Sequence, residues 1–211
     1  MDLGEKKSKS ASEANTPKAW KAFEEYAEAV TFVSAEDMVF VDETGVNTGM
    51  SRQYGWALKG ERLIAPSPVC RGQNTSVIGA MDCKGMLAEM IVEGGVNKEV
   101  FRTFVRKYLL PELLPGQVVI MDNLKVHKDP EIKRMLEKAK VTLQFLPPYH
   151  PELDPIENGW SKFKAILRGI GARTRDALCS AVRQAILSIT ESDARGWFAH
   201  CGYTEACNTS T

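Results

Sequence analysis

Apolar residues run along this chain in two rhythms. In "PKAWKAFEEYAEAV", from residue 17, they recur every three to four positions and place Trp20, Phe23, Ala27 and Val30 on one face, and Thr16-Pro17 is a good helix start. "MVFVDE" is a short apolar run that predicts a buried strand ending at Asp42. "TSVIGAMD" and "MLAEMIVE", joined by "CKG", predict a hairpin with Gly85 near its turn. The helical period returns in "NKEVFRTFVRKYLL", with Phe101, Phe104, Val105 and Leu109 inward and Pro111 as the stop. "GQVVIMDN" predicts a second buried strand ending at Asp122, "DPEIKRMLEKAK" a helix and "VTLQFL" a strand. A helix over 155–168, another in "RDALCSAVRQAILSI" and a last short one complete the chain.

A hairpin leading into strand–helix–strand units predicts a mixed sheet with helices on its faces. Residues 1–16 are polar and read as a linker, so 1–36 is expected to be linker plus N-terminal helix, with one domain over 37–211. Residues 43–74 are rich in Gly, Arg and polar groups and too long for a plain turn. No internal repeat is visible.

Composition narrows the classes. With 211 residues and 44% hydrophobic content, the chain can bury a real core. Lys+Arg and Asp+Glu are equal at 27 each, which argues against a simple basic nucleic-acid binder but leaves room for local segregation of charge. No apolar run approaches the roughly 20 residues of a membrane span, and "MDLGEKKSKSASEANT" lacks a signal-peptide core. Five scattered cysteines read as reduced thiols of a cytosolic protein. "HCGYTEAC" offers His200, Cys201 and Cys207 as ligand types, but zinc needs four ligands, usually in paired spacing.

Two strands therefore end in a carboxylate, Asp42 and Asp122, where open α/β sheets collect ligands. Two such groups close together repel unless a cation lies between them, and hard oxygen donors suit magnesium or manganese. A third carboxylate comes with "FLPPYHPELDPIENGW". Asp154 is a good N-cap, Pro155 a good first helical residue, and Glu157 falls at the third helical position. One reading is a capping box closed between Asp154 and Glu157. The other is that the prolines fix where the helix begins, and so where Glu157 points. Both can hold.

"VFVDETGVNTGMSRQYGWALKGER", "VVIMDNLKVHK" and "LQFLPPYHPELDPIENGWSKFK" resemble, in order, the motifs of the mariner-type superfamily of DDE transposases, in its bacterial insertion-sequence branch. Between Asp42 and Asp122 lie 79 residues (43–121), and between Asp122 and Glu157 lie 34 (123–156), a second gap typical of that superfamily. The resemblance runs from about residue 37 to 205. It implies a ribonuclease H-like mixed five-stranded sheet with helices on both faces, and Asp42, Asp122 and Glu157 as a catalytic, metal-binding triad. It implies two Mg2+ or Mn2+ ions per site, and cleavage of DNA at an element's ends followed by strand transfer into target DNA. A cytoplasmic, nucleoid-associated bacterial protein, homodimeric when engaged with DNA, is implied as well.

The expected DNA contacts are Lys162, Lys164 and Arg168 in a basic stretch, continuing to Arg173 and Arg175, that contains no acid between 158 and 175. The plain alternative is a solvated helix face. "SRQYGWALKGER" adds Arg52, Lys59 and Arg62 beside Tyr54 and Trp56; the family's loop here resembles a clamp on a partner subunit or DNA, and the alternative is a loop with its aromatics packed on the body. His127 is a further candidate DNA contact, with a local structural role preferred, and Asn123 reads as a turn residue rather than a ligand. The block departs from the family with His150 and Asp154, where Ser and Asn are common. Helix-turn-helix modules usually precede this kind of domain, whereas 41 residues precede Asp42 here. The expectation is a catalytic half, with a separately encoded helix-turn-helix half as a candidate partner. The alternatives are a truncated, non-catalytic relic that dimerises or binds DNA and, more distantly, another ribonuclease H-like nuclease.

Overall fold

The computed structural model describes residues 16–64, 68–69 and 72–203. Its strands are β1 (Met38–Val46), β2 (Thr75–Asp82), β3 (Gly85–Glu93), β4 (Val118–Met121) and β5 (Thr142–Phe145). They form one sheet in the order β3-β2-β1-β4-β5. β1–β2 and β2–β3 are antiparallel, while β1–β4 and β4–β5 are parallel. The helices are α1 (Pro17–Val30), α2 (Lys98–Phe104), α3 (Pro130–Lys138), α4 (Pro155–Ile170), α5 (Arg175–Leu187) and α6 (Glu191–His200).

Strand side chains alternate between faces, and here both faces are covered. On β1, Met38 and Phe40 join a core under α4, α5 and α6, whereas Val39 and Val41 join a second core under α2 and α3. β4 divides likewise, Val118 and Ile120 against Val119 and Met121. That two-sided burial is why these strands read as unbroken apolar runs. The expected mixed five-stranded sheet with helices on both faces is what forms.

Three local expectations differ. β1 does not end at Asp42: it runs on to Val46, paired with β2, because only its β4-side partner stops, at the Val41↔Met121 pair. α1 buries Ala19 and Tyr26 most deeply; Phe23, Ala27 and Val30 of the expected face are half-buried beside them, while Trp20 is 53% exposed. The Tyr26 hydroxyl meets that of Tyr203 at 2.6 Å, which turns the helix and brings it into the main core. Past α2 the chain does not stop but widens into a π turn (Val105–Leu109) and then tightens into a 3-10 turn (Leu110–Glu112) that accommodates Pro111. Phe101, Phe104, Val105 and Leu109 are all fully buried, as the pattern required.

Candidate active site

The sheet places the first two carboxylates. Parallel pairing of β1 with β4 ends at Val41↔Met121, so Asp42 and Asp122 are the next residues on neighbouring strands. Across β1 on its other side, Asp42 pairs with Gly79. A Cβ at Gly79 would come within 2.6 Å of the Trp160 indole, so only glycine lets that ring lie over β2. Trp160, fully buried on α4, uses the space to donate from Nε1 to Asp42 Oδ2 at 3.1 Å.

Asp122 is held differently. Its Oδ1 accepts from the Leu124 N–H at 3.0 Å and lies 2.6 Å from His127 Nδ1. The other ring nitrogen of His127 is 3.1 Å from Glu43. His127 is fully buried, with its ring 4.4 Å from that of Phe101. It thus bridges β1 and the end of β4 with no exposed surface. Asn123 donates to the Leu146 carbonyl, while the Leu146 N–H donates to Met121 at 2.8 Å, so the proline segment starts tied to β4.

Glu157 sits in the first turn of α4. No capping box forms: the Asp154 side chain makes no capping hydrogen bond, so closing such a box is not what Glu157 does. Between Leu146 and the helix the chain makes one left-handed non-glycine turn, at Tyr149 (φ 66°), and a 3-10 turn over Pro151–Leu153. The Leu153 carbonyl accepts from the Tyr203 hydroxyl at 2.7 Å, one residue before the N-cap. Two concavities meet at the triad. One, of about 370 Å³, is walled by Pro147, Pro148, Tyr149, His150 and Asp154; the other, of about 720 Å³, by Glu43, Gly45 and Lys125; Asp42, Asp122 and Glu157 line both.

The electrostatics follow from crowding. Burial pushes Asp42 up to about 7; the Glu43 N–H opposes this, and the charges of Glu157, Glu43 and Asp122 add to it. Burial also acts to raise Asp122, but the His127 and Leu124 hydrogen bonds outweigh it and hold this carboxyl below its usual range. For His127 burial works against the cation, yet bonds to Asp122 and Glu43 raise it to about 9. Burial, then the charges of Asp42 and Glu157, pushes Asp154 well above the ordinary carboxylate range. The residues are thus hard oxygen donors in mutual repulsion, which is the donor chemistry of Mg2+ or Mn2+. Among the described residues no three His, Cys, Asp or Glu side chains are already drawn into a metal-holding cluster. The donor set fits such a cation; the spacing requires side-chain closure.

The candidate DNA contacts separate into groups. Arg52, Lys164 and Arg168 line one cavity of about 810 Å³, which meets the larger triad concavity at Gly45. Lys164 and Arg168 follow Glu157 by seven and eleven residues, on one face of α4. Lys162 does not join them: it donates to Asp193 at 2.5 Å and ties α4 to α6, because five residues from Glu157 is nearly the opposite side of the helix. Arg173 donates to the carbonyls of Thr48 and Met50, and Arg175 pairs with Glu93. Lys59 and Arg62 are exposed in the loop after β1. Tyr54 and Trp56 are 89% and 98% exposed, so these aromatics are not packed on the body. Cys83, Cys179 and Cys201 are free thiols; Cys70 and Cys207 lie outside the described residues, and with Cys207 the suggested zinc cluster.

Sequence reasoning missed Glu43, Gly79 and Trp160 as parts of the site. Only Gly79 carried a signal, a glycine inside an apolar strand, which marks a close approach by another group.

Residues 37–179 match the family described as DDE superfamily endonuclease. No curated protein matches the chain. Among solved structures, the Mos1 strand transfer complex superposes with TM-score 0.69 at 14% identity, over 95% of this chain and 62% of that one. The Mos1 mariner paired-end complex with Mn gives 0.68 at 15% identity, over 95% and 63%. The catalytic domain of Mos1 mariner transposase gives 0.58 at 11% identity, over 87% and 86%. The fold is thus the ribonuclease H-like fold of that catalytic domain. The chain spans somewhat over three fifths of the longer Mos1 chains.

Proposed function

The chain belongs to the DDE superfamily endonucleases, and on that premise we propose that it is the catalytic domain of a mariner-type transposase that cuts DNA phosphodiesters and joins the freed ends to target DNA. The observation that carries this reading is the strand register that makes Asp42 and Asp122 neighbours, with Glu157 on the walls of the same two concavities. Asp42, Asp122 and Glu157 would hold magnesium or manganese, two ions per site. Such ions, when bound, activate an attacking water or 3′-hydroxyl and offset charge on the leaving oxygen.

The chain's own residues prepare that chemistry. Trp160 fixes one oxygen of Asp42, and His127 with the Leu124 N–H fixes Oδ1 of Asp122. No hydrogen bond from the described residues falls on Asp122 Oδ2, which is left for a ligand. The His127 cation offsets part of the carboxylate repulsion on the β1–β4 side. Arg52, Lys164 and Arg168 would take phosphates of a strand that leaves the site past Gly45. Lys59, Arg62 and the exposed aromatics of the same loop would meet DNA or a second copy of the chain. Binding through so local a basic surface is sequence-tolerant and falls steeply with salt.

A second reading, a fold-retaining module without catalysis, is favoured by one observation: the carboxylates are not drawn into a metal-holding cluster among the described residues. A nicking assay on supercoiled DNA with Mg2+ or Mn2+ separates the two. Activity lost in Asp122→Ala supports the enzyme; metal-dependent nicking absent from the wild type overturns it.

A further inference from the structure

Asp154 occupies the N-cap of α4, where an aspartate ordinarily accepts a hydrogen bond from the first turn. Here it does not. The Ile156 N–H is near enough to favour its charge, but neither side-chain oxygen closes a capping bond. The residue is 6% exposed, and its Oδ1 is buried with no hydrogen-bond partner. Burying a carboxylate oxygen unpaired is costly, and a neutral Asn or Ser would cap the helix equally well. Asp154 also lines the 370 Å³ concavity with Asp42, Asp122 and Glu157. The capping position thus does not explain why a buried carboxylate rather than a neutral cap stands here, whereas a cation in the concavity that Asp154 lines does.

We propose that Asp154 is a fourth carboxylate of the divalent-cation site, a ligand on the proline-segment side that shares an ion with Asp42 and Glu157. The proposal rests on the metal-dependent reading above. It gives the proline segment a second task, since that segment then delivers two ligands, one residue before the helix and one in its first turn. It also assigns a donor to the smaller concavity, which the triad alone leaves walled on one side by prolines.

The test is Mn2+ binding to the full chain, followed by the loss of the free-ion electron paramagnetic resonance signal, with no DNA present. Wild type, Asp154→Asn, Asp154→Ser and Asp42→Asn are compared, each with its melting temperature in EDTA and in Mn2+. Removing one ligand charge should weaken Mn2+ binding about tenfold or more and shrink the Mn2+-induced rise in melting temperature, while melting in EDTA stays level or rises. Asp154→Ser keeps a capping oxygen and gives the same readout should the asparagine variant not fold. Unchanged Mn2+ affinity in both Asp154 variants, with affinity lost in Asp42→Asn, overturns this inference and leaves the metal-dependent reading standing. No Mn2+ binding by the wild type overturns both.

Discussion

Two devices place the site carboxylates. Asp42 and Asp122 are set by the sheet: neighbouring strands in fixed register, with buried Trp160 and His127 holding one oxygen each. Glu157 and Asp154 are set by a loop, the proline segment, tied to β4 at Leu146 and to Tyr203 at Leu153. The sheet device distributes strain over a cooperative ladder, and its geometry survives most single changes. The loop device relies on restricted dihedrals and two anchors, so its precision can be lost while the fold remains. A site built from both can be damaged in two distinguishable ways.

The largest effect comes from removing a charge on either side. Asp122→Asn and Glu157→Gln should each lower metal-dependent nicking by about a thousandfold or more, equivalent to roughly 4 kcal/mol of barrier. Glu157 is exposed, so its variant should melt as the wild type does in metal-free buffer. If Glu157→Gln keeps more than a tenth of the activity, the loop-placed carboxylate is not part of the same site as the sheet-placed pair.

The next effect isolates the loop device. Replacing Pro147 and Pro148 with alanine should cost on the order of a hundredfold in nicking, the scale of a misplacement by about 1 Å. Each proline contributes roughly 0.4–1 kcal/mol by restricting the unfolded chain, so folding should survive. Unchanged nicking with a collapsed melting temperature assigns the prolines to stability instead.

A smaller perturbation isolates the sheet device. The methyl of Gly79→Ala would meet the Trp160 ring at 2.6 Å. Overpacking of this kind costs about 1–3 kcal/mol, and it also shifts the indole away from Asp42. Melting and nicking should fall together, in contrast to the proline variant, where they separate. Loss of nicking without loss of stability would show that Gly79 is not wedged as described.

The sequence made the sheet device legible and the loop device only partly so. Unbroken apolar runs and strand-following carboxylates pick out β1, β4, Asp42 and Asp122, because each signal lies within a few residues. Glu157 was legible through the prolines beside it, but whether it closed a capping box depended on where the Asp154 side chain turned. Trp160 donates to Asp42 across 118 residues, and His127 reaches Glu43 across 84; no local pattern encodes such partners. For the same reason Lys162 looked free of Asp193, and α1 looked buried along Trp20 before Tyr203 rotated it.

Acid–base behaviour sharpens the contrast further. His127 is raised from 6.5 to about 9 in the folded state, so its stabilising contribution is complete below about pH 6.5 and is lost as pH rises through 9. Asp42 is raised from 3.8 to about 7, so its contribution is present below 3.8 and lost as pH rises through 7. Asp122 is lowered and acts oppositely: its contribution is present above its ordinary value of 3.8 and lost in acid below that. In metal-free buffer the melting temperature should therefore fall between pH 3.8 and about 7 through Asp42, and between 6.5 and about 9 through His127. His127→Gln should flatten the second fall, and Asp42→Asn should flatten the first and melt higher than the wild type at pH 8. An unaltered profile in both variants would remove the His127 bridge from the account of the sheet side.

The smallest effect concerns the far anchor of the loop. Tyr203 donates to the Leu153 carbonyl and so leaves its oxygen to accept from Tyr26. Tyr203→Phe strips both bonds and leaves the buried Tyr26 hydroxyl unpaired, which costs roughly 1–3 kcal/mol. Tyr26→Phe removes one bond, spares the anchor, and costs only about 0.5–1.5 kcal/mol. The two variants differ in what they do to Leu153, which lies one residue before the cap of the helix that carries Glu157. If the anchor sets the start of α4, Tyr203→Phe should lower nicking several-fold when assayed well below its melting temperature, and Tyr26→Phe should not. Equal nicking in the two would mean that α4 is positioned by Trp160 and its core neighbours alone, and that the sheet device reaches further into the loop side than its hydrogen bonds indicate.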